Sequence, residues 1–258
     1  MLKSIRRFQD LFADESYVLL KNHLYNYLLR KRAVKKALQD VQARYVLEIG
    51  SGMSPVTALD PFPAVVYSDL SWEALRILQK NNTGGWHVAA DGMELPFRDG
   101  TFGAVVCSEV LEHLEDDRRA LREMARILQP GGIVIITFPH RHCYFAWDDR
   151  FVHHLRRYEL EEMTLRLGDA GLEPIAIKKV LGPLEKITMM LFLFAFSAGG
   201  RFHKEIRGSN EQEDLSRLLT ISFKGANLLY AGLARLDALV FPARLATVLL
   251  IKAVKGQP

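Results

Sequence analysis

The 258-residue chain is poor in cysteine and has no long apolar run. Its two cysteines, Cys107 and Cys143, form neither a CxxC pair nor a zinc-like spacing, which argues against a disulfide framework and indicates a reducing, cytoplasmic compartment. No apolar stretch follows the basic residues near the start, so we expect no signal peptide. The apolar run at residues 187–197 is too short to span a bilayer, and we predict no transmembrane helix.

The composition is otherwise that of a globular protein, with 49% hydrophobic and 25% charged residues, but the charge is unevenly placed. The net charge is +6 over residues 1–45, −6 over 46–182 and +4 over 183–258. The basic flanks are either solvated helical faces or contacts for something anionic, such as a phosphate-bearing substrate or a membrane surface. Because aromatic and basic residues are not interleaved, the flanks do not indicate a nucleic-acid partner.

From residue 45 onward, short β-branched runs alternate with amphipathic helical segments. This order predicts right-handed crossovers and a mostly parallel, seven-stranded α/β sheet covered by helices on both faces. The predicted strands, in chain order, are YVLEI, PAVVYSDL, GWHVAAD, GAVVCSE, GIVIITFP, EPIAIKKV and ATVLLIKAVK. In such a sheet, ligands bind at the carboxyl ends of the strands.

Two helical regions stand outside this alternation. Residues 1–44 predict a helical extension, because apolar side chains recur at helical spacing without an interrupting Pro or Gly. Residues 183–242 are too long for an ordinary connection between the sixth and seventh strands, and they predict an apolar helical insertion. We therefore predict a single domain, whose sheet core is formed by residues 45–182 and 243–257.

The first predicted strand contains Glu48 and ends in the turn Gly50-Ser51-Gly52. Glycines at such a turn let the backbone approach a ligand without an intervening Cβ. A dinucleotide fingerprint would need a third glycine where Pro55 stands, so the turn by itself is weak evidence for a nucleotide-type cofactor. The alternative is an ordinary strand-to-helix turn with Glu48 near the surface.

Acidic or hydroxyl side chains end the next three predicted strands. Asp69 ends the second, Asp91 the third, and Ser108 with Glu109 the fourth. An Asp at a strand end is often only a helix cap or a turn residue. Together and in order, these side chains can surround one cationic, hydroxyl-bearing ligand at a single edge of the sheet.

Five stretches of the chain resemble the class I S-adenosylmethionine-dependent methyltransferases, in the type 11-like branch with small-molecule substrates. The stretches cover residues 45 to about 175 in the family's order: VLEIGSGMSP, VVYSDLSWEAL, ADGMELPFRDGTFGAVVCSEVLEHL, ALREMARILQPGGIVIITFP and HHLRRYELEEMTLRLGDAGLEP. The resemblance implies a Rossmann-like fold, S-adenosyl-L-methionine as the cofactor and methyl transfer as the reaction. It implies little about the acceptor.

The resemblance also assigns cofactor-binding residues. Glu48, Gly50 and Gly52 would surround the methionine moiety, and Ser108 would offer backbone to its amino end. Asp69 would bind the ribose diol, Asp91 the adenine amino group, and Met93 would lie against the adenine ring. The full set expected at the cofactor is Glu48, Gly50, Ser51, Gly52, Asp69, Leu70, Asp91, Gly92, Met93 and Ser108.

Histidines supply the candidate catalytic bases. His140 and His142 follow the fifth strand on a loop that should face the substrate, and His113 follows the fourth strand within the segment LEHL. Each has either an acid–base or a structural role. By resemblance, His153 and His154 belong to a segment that orients rather than reacts. Because no i, i+4 pair or facial triad of ligands is apparent, we predict no metal.

The sequence leaves the acceptor open. An apolar insertion flanked by basic residues favours a small, lipophilic or membrane-attached acceptor at the inner face of the membrane. The insertion would otherwise bury itself as core or form a homodimer. A nucleobase amino acceptor is disfavoured, because CSEV stands where those enzymes place a D/N-P-P-Y/F element. Two alternatives remain: an NAD(P)-dependent oxidoreductase, and a non-catalytic cofactor-binding protein of the same fold.

Overall fold

A computed structural model describes residues 24–57, 62–81, 84–188, 190 and 211–256, with the backbone alone for 211–224 and 226. The first 23 residues of the predicted helical extension lie outside these ranges, as do residues 191–210 of the predicted insertion.

The sheet has seven strands and carries the site at one edge. The strands are β1 Tyr45–Ile49, β2 Ala64–Asp69, β3 Trp86–Ala89, β4 Phe102–Ser108, β5 Leu128–Pro139, β6 Leu172–Leu181 and β7 Val248–Lys255. Their order is β3-β2-β1-β4-β5-β7-β6, and only β7 runs antiparallel to its neighbours. The carboxyl ends of β1, β2, β4 and β5 are in register, because Ile49 pairs with Ser68 and Cys107, and Ser108 pairs with Thr137.

Helices connect and cover these strands. They are α1 Tyr25–Leu38, α2 Trp72–Lys80, α3 Asp117–Ile127, α4 Trp147–Phe151, α5 Leu160–Asp169 and α6 Glu211–Val240, with short 3-10 turns at Leu111–His113, His142–Tyr144 and Ala243–Leu245. Residues 184–188 are also helical. Ser71 caps α2, because its Oγ accepts the Ala74 N–H at 3.2 Å.

Side chains that alternate along the strands build an apolar core on each face of the sheet. Val46 faces a cluster that includes residues of α1, α2 and α6. Leu47, the next residue, faces a second cluster that includes residues of α3 and α5. Glu48 shares the face of Val46, so its carboxylate lies under α1 and the glycine turn rather than at the surface.

The predicted fold class is confirmed: a mostly parallel seven-stranded sheet with helices on both faces and a helix before the first strand. The fifth strand is longer than predicted and already begins at Leu128, before the two glycines. The α6 helix provides the helical structure expected for part of the insertion, whereas the division into extension, core and insertion stays a prediction. Of the helices that can be examined in the described ranges, none is long and apolar enough to cross a membrane.

Candidate functional site

The glycine turn after β1 adopts a conformation that requires glycine. Gly50 and Gly52 have φ of +69° and +55°, and the N–H groups of Gly50 and Ser51 donate to the carbonyl of Ser68 at 2.7 and 3.0 Å. A Cβ on Gly50 would lie 2.3 Å from Val110 Cγ2. The turn therefore wraps over the end of β2 and touches the segment after β4, with its backbone bare of side chains.

Glu48 fixes the chain that follows the turn. It is 2% exposed, and its two carboxylate oxygens accept the N–H groups of Val56 and Thr57, each at 2.8 Å. Burial raises the pKa of Glu48 to about 7, although these N–H donors act in the opposite direction. The expected contact between Glu48 and a methionine moiety stays a prediction; the contact that the structure shows is with its own loop.

Asp69, the residue expected to bind a ribose, connects the turn to the second strand. Its Oδ2 accepts the Gly52 N–H and its Oδ1 accepts the Ser71 N–H, both at 2.8 Å. Leu70, next in the chain, is 36% exposed. The carboxylate thus lies beside the glycine turn, where the sequence places it.

Residues 91–93, the segment expected to hold an adenine, lie beside the end of β1. Asp91 Oδ1 accepts the Met93 N–H at 2.9 Å. Gly92 packs close to Ile49 and Leu114, since a Cβ on this glycine would lie 3.4 Å from Ile49 Cγ2. Asp91, Gly92 and Met93 therefore lie at the same sheet edge as the glycine turn.

The end of β4 has strained backbone at the site. Ser108 Oγ lies 2.8 Å from Thr137 Oγ1, and the Glu109 N–H donates to the Thr137 carbonyl at 3.0 Å. Glu109 has φ of +55°, which is unusual for a residue other than glycine. This conformation turns the chain so that the next residue, Val110, lies against Gly50.

Helix α1 covers this edge, which the sequence does not indicate. Arg30 Nη1 lies 3.3 Å from Glu109 Oε2, and both side chains are mostly buried. The Tyr27 hydroxyl donates to the Pro55 carbonyl at 2.9 Å. Two contacts thus hold α1 over the glycine turn and the end of β4.

His140 is enclosed rather than open to a substrate channel. It is 4% exposed, and its Nδ1 lies 2.9 Å from the Ala246 carbonyl, which requires the proton on Nδ1. Its Nε2 is 3.8 Å from Glu159 Oε2. Burial lowers the pKa of His140, so the neutral form with a lone pair on Nε2 is favoured. A role as base stays a prediction.

His142 lies at the surface. Its Nε2 is 3.0 Å from Glu162 Oε2 on α5, and its side chain is 56% exposed. Its backbone N–H donates to Glu159 Oε1 at 3.0 Å. None of these contacts connects His142 to the glycine turn, although its assignment as a base also stays a prediction.

His113 lies beside Glu112, its neighbour in the chain, and beside His154, which comes from a distant loop. Its ring packs edge-on against that of His154, with centroids 4.8 Å apart. Potential ligand atoms of Glu112, His113 and His154 all lie within 4.8 Å of one another. The adjacent letters EH in LEHL signal two of these groups, but His154 is 41 positions further along the chain.

Comparisons with known proteins show which family this part of the chain resembles. Residues 47–136 match the family described as "methyltransferase domain". The resemblance to class I S-adenosylmethionine-dependent methyltransferases is confirmed. The matched stretch includes the glycine turn, Asp69, Asp91 and the end of β4.

Curated relatives share this part of the chain's sequence. A demethylmenaquinone methyltransferase of Streptomyces griseus is 36% identical over 112 residues, which cover 42% of this chain and 48% of the relative. A probable S-adenosylmethionine-dependent methyltransferase of Mycobacterium tuberculosis is 30% identical over 158 residues, which cover 59% and 58%. The chain spans about half the length of the curated relatives it matches.

A solved structure confirms the fold over nearly the whole chain. It is a Thermotoga maritima S-adenosylmethionine-dependent methyltransferase, described as a possible histamine N-methyltransferase. The TM-score is 0.60 and the alignment covers 99% of this chain and 100% of that one, at 18% identity. At this identity the likeness shows the Rossmann-like fold alone.

Beyond the matched stretch lies a buried ionic network that the sequence does not reveal. Lys186 Nζ lies 2.6 Å from Asp148 Oδ2 and 2.8 Å from Asp149 Oδ2. Arg157 donates to Asp149 Oδ1 at 2.8 Å, and His154 Nδ1 lies 2.9 Å from the same oxygen. These partners hold the pKa of Asp149 well below its usual range, against the effect of burial. The network fixes the loop that carries His154.

Proposed function

We propose that the protein is an S-adenosylmethionine-dependent methyltransferase that acts on a small acceptor. The observation that carries this proposal is the glycine turn: a bare, left-handed backbone with Asp69 beside it, within the stretch that matches the methyltransferase domain. A carboxylate has about four acceptor sites, so Asp69 can hold its two backbone N–H groups and also accept from ribose hydroxyls.

The residues of the site act by positioning. S-adenosylmethionine supplies an activated methyl group on a sulfonium. Binding it in line with an acceptor atom contributes several kcal/mol by orientation alone. The Gly50–Gly52 backbone would hold the amino-acid end, Asp69 would hold the ribose, and Asp91 with Met93 would hold the base. Arg30 and Tyr27 would keep α1 over this edge.

The cofactor assignment is tested by Asp69→Ala. We expect its affinity for S-adenosylmethionine to fall roughly a hundredfold or more, because two charge-assisted hydrogen bonds, together about 3 kcal/mol, are lost. Isothermal titration measures this, and circular dichroism checks the fold. Asp99→Ala is the matched control, since Asp99 is exposed and pairs with Arg126 at 2.7 Å.

Equal affinity in both variants would remove Asp69 from the cofactor site. Tight binding of NADH instead of S-adenosylmethionine by the unaltered protein would favour the oxidoreductase. Binding without formation of S-adenosylhomocysteine from any acceptor would favour a non-catalytic protein of the same fold.

We further propose that the acceptor is lipophilic and is met at a membrane surface. One support is the relatives named as demethylmenaquinone methyltransferases. Another is the α6 apolar face, a set of exposed side chains at helical spacing: Leu228, Leu229, Leu233, Leu236, Leu239 and Val240. The opposite side of the helix packs through buried Ala231, Ala234 and Ala238. A helix that buries alanines and exposes leucines suits an apolar interface.

Basic side chains accompany this face. Arg235 lies on the exposed side of α6 and Arg244 follows the helix, and both are exposed. Arginine beside an apolar helical face favours anionic lipid surfaces. We therefore expect binding to anionic vesicles that weakens as salt rises, because screening shortens the range of the arginines.

The membrane proposal is tested with Leu229→Ser/Leu233→Ser, two positions that are 77% and 56% exposed. We expect reduced sedimentation with anionic vesicles and unchanged affinity for S-adenosylmethionine. Leu165→Ser on α5, where the side chain is 69% exposed, is the matched control. If the unaltered protein ignores vesicles at low salt, or if the control loses as much binding as the double variant, the membrane proposal fails.

A further inference from the structure

The Glu112–His113–His154 cluster lies where the 3-10 turn after β4 meets the loop before α5. Glu112 is fully buried, and neither of its carboxylate oxygens has a hydrogen-bond partner among the described residues. A basic group, His154 Nε2, lies 3.7 Å from Glu112 Oε1, beyond hydrogen-bond distance. A buried carboxylate without donors is costly, so something positively charged, a cation or a proton, is needed there.

The hydrogen bonds of the two histidines orient their lone pairs. His154 Nδ1 lies 2.9 Å from Asp149 Oδ1, an oxygen that also accepts from Arg157, so Nδ1 is the donor. His113 Nδ1 lies 3.3 Å from the His153 carbonyl, which can only accept. In their neutral forms, both imidazoles therefore carry the proton on Nδ1 and the lone pair on Nε2.

This is the arrangement of a metal site with its supporting shell. One ligand atom from each of two imidazoles and one carboxylate lies within 4.8 Å of the other two. Ligands about 2.0–2.2 Å from one ion in a tetrahedral site lie roughly 3.3–3.6 Å apart, so Glu112 Oε1 and His154 Nε2, at 3.7 Å, are already close to that spacing and the third ligand needs a shift of about 1 Å. Asp149 accepts the hydrogen bond from His154 Nδ1 and so fixes the orientation of the ring, as carboxylates do for metal-binding histidines. Lys186 and Arg157 fix Asp149 in turn.

We propose that Glu112, His113 and His154 bind one divalent transition-metal cation. Two nitrogens and one oxygen suit zinc, iron(II), cobalt or manganese, whereas magnesium and calcium prefer oxygen ligands alone. Three protein ligands leave at least one coordination position for water or substrate. This differs from the sequence-based expectation of no metal, because the third ligand comes from a distant loop.

The cluster lies beside the proposed transfer site. Val110, two residues before Glu112, contacts the Gly50 position, and the Leu155 N–H donates to the Glu112 carbonyl at 2.8 Å. An ion there is a Lewis acid placed to lower the pKa of an acceptor hydroxyl. This role rests on the proposed function, whereas metal binding itself does not.

The experiment measures metal binding to the full chain after treatment with a chelator. Isothermal titration with Zn²⁺ should give one tight equivalent, and Co²⁺ should give the visible absorption of a low-coordinate site. Zn²⁺ should also raise the thermal unfolding midpoint, since it binds the folded state. Glu112→Gln, of equal size, should weaken Zn²⁺ binding more than about a hundredfold, because the supporting shell alone accounts for 10–100-fold.

His113→Asn provides a second ligand variant in case Glu112→Gln fails to fold, and it should also lose the Co²⁺ spectrum. His142→Ala is the control for adventitious surface binding at His142, Cys143 and Glu162, and it should keep the tight equivalent. No tight equivalent in the unaltered protein overturns the proposal, as does binding that survives both ligand variants or disappears in His142→Ala. The affinity for S-adenosylmethionine is measured on the same samples. If it is intact while the metal result is negative, the metal proposal fails and the proposed function stands.

Discussion

The carboxyl edge of the sheet has two halves that are built differently. The half at β1 to β3, which we propose to bind the cofactor, is called the cofactor half. Its carboxylates accept backbone N–H groups that are near in sequence: Glu48 binds Val56, eight positions on, and Asp91 binds Met93, two positions on. The half at β4 and β5, which we propose to face the acceptor, is called the acceptor half, and there the bonds join distant segments. Lys186 is 37 positions from Asp149, and His140 is 106 from Ala246.

The difference shows where function can be recognised in a linear sequence. Local bonds between carboxylates and their own loops leave a compact motif, so the cofactor half is recognisable from residues 45–93. Bonds between distant segments leave no motif, because each partner looks like an ordinary charged residue in its own neighbourhood. Four experiments test whether the two halves also differ in energetics.

The largest effect is expected for Asp149→Asn in the acceptor half. The substitution leaves Lys186 and Arg157 buried with too little negative charge, and removal of one partner from such a network costs about 3–5 kcal/mol. Asp169→Asn is the control, since Asp169 pairs with Arg118 at the surface and such pairs contribute about 0–1 kcal/mol. Urea unfolding measures both free energies. Equal losses would mean that the buried network does not hold this half together.

A pH-dependent effect is expected for Glu48 in the cofactor half. Burial raises the pKa of its carboxyl from 4.5 to about 7 in the folded state, so the folded chain binds this proton more tightly than the unfolded chain. The stabilising contribution is therefore complete below 4.5 and is lost as pH rises through about 7, a change of about 3 kcal/mol.

Glu48→Gln removes this titration. The difference in free energy of unfolding between the unaltered protein and the variant should thus decline between about pH 4 and about pH 8 by about 3 kcal/mol. A difference that is flat with pH, or that grows, would show that the N–H groups of Val56 and Thr57 dominate over burial.

A smaller loss of stability is expected at the glycine turn, where two variants separate backbone strain at positive φ from a steric clash with Val110. Gly50→Ala and Gly100→Ala both place a Cβ at positive φ, but only the Cβ at position 50 meets a neighbour, Val110. We expect Gly50→Ala to destabilise by about 1–3 kcal/mol more than Gly100→Ala, because of overpacking. Only Gly50→Ala should also weaken binding of S-adenosylmethionine. Equal behaviour of the two variants would show that the turn and the end of β4 are independent.

The smallest effect is expected for His142→Ala. His142 forms an exposed pair with Glu162, so the loss in stability should be about 0–1 kcal/mol. Turnover should stay near that of the unaltered protein unless His142 is the base. His140→Gln, at a buried position of the same loop, is the comparison, and it should be the more destabilising. A tenfold loss of turnover in His142→Ala, with stability intact, would instead make His142 the base.

The sequence by itself determined the sheet, its helices and the placement of Asp69 and Asp91 at one edge of that sheet. Periodicity sets strands and helices through local geometry, and the turn at Gly50 and Gly52 follows from a conformation that favours glycine. Asp69 and Asp91 were identifiable because they end strands that lie side by side in a parallel sheet.

Only the tertiary structure decided the acceptor half. It pairs Arg30 with Glu109. It also buries His140 against Ala246 and leaves His142 at the surface, although these two histidines are only two positions apart in the sequence. It also brings His154 to Glu112. The physical reason is that the position of a side chain after a strand end depends on how separate loops pack. That packing is set by burial summed over distant segments, and no local pattern records it.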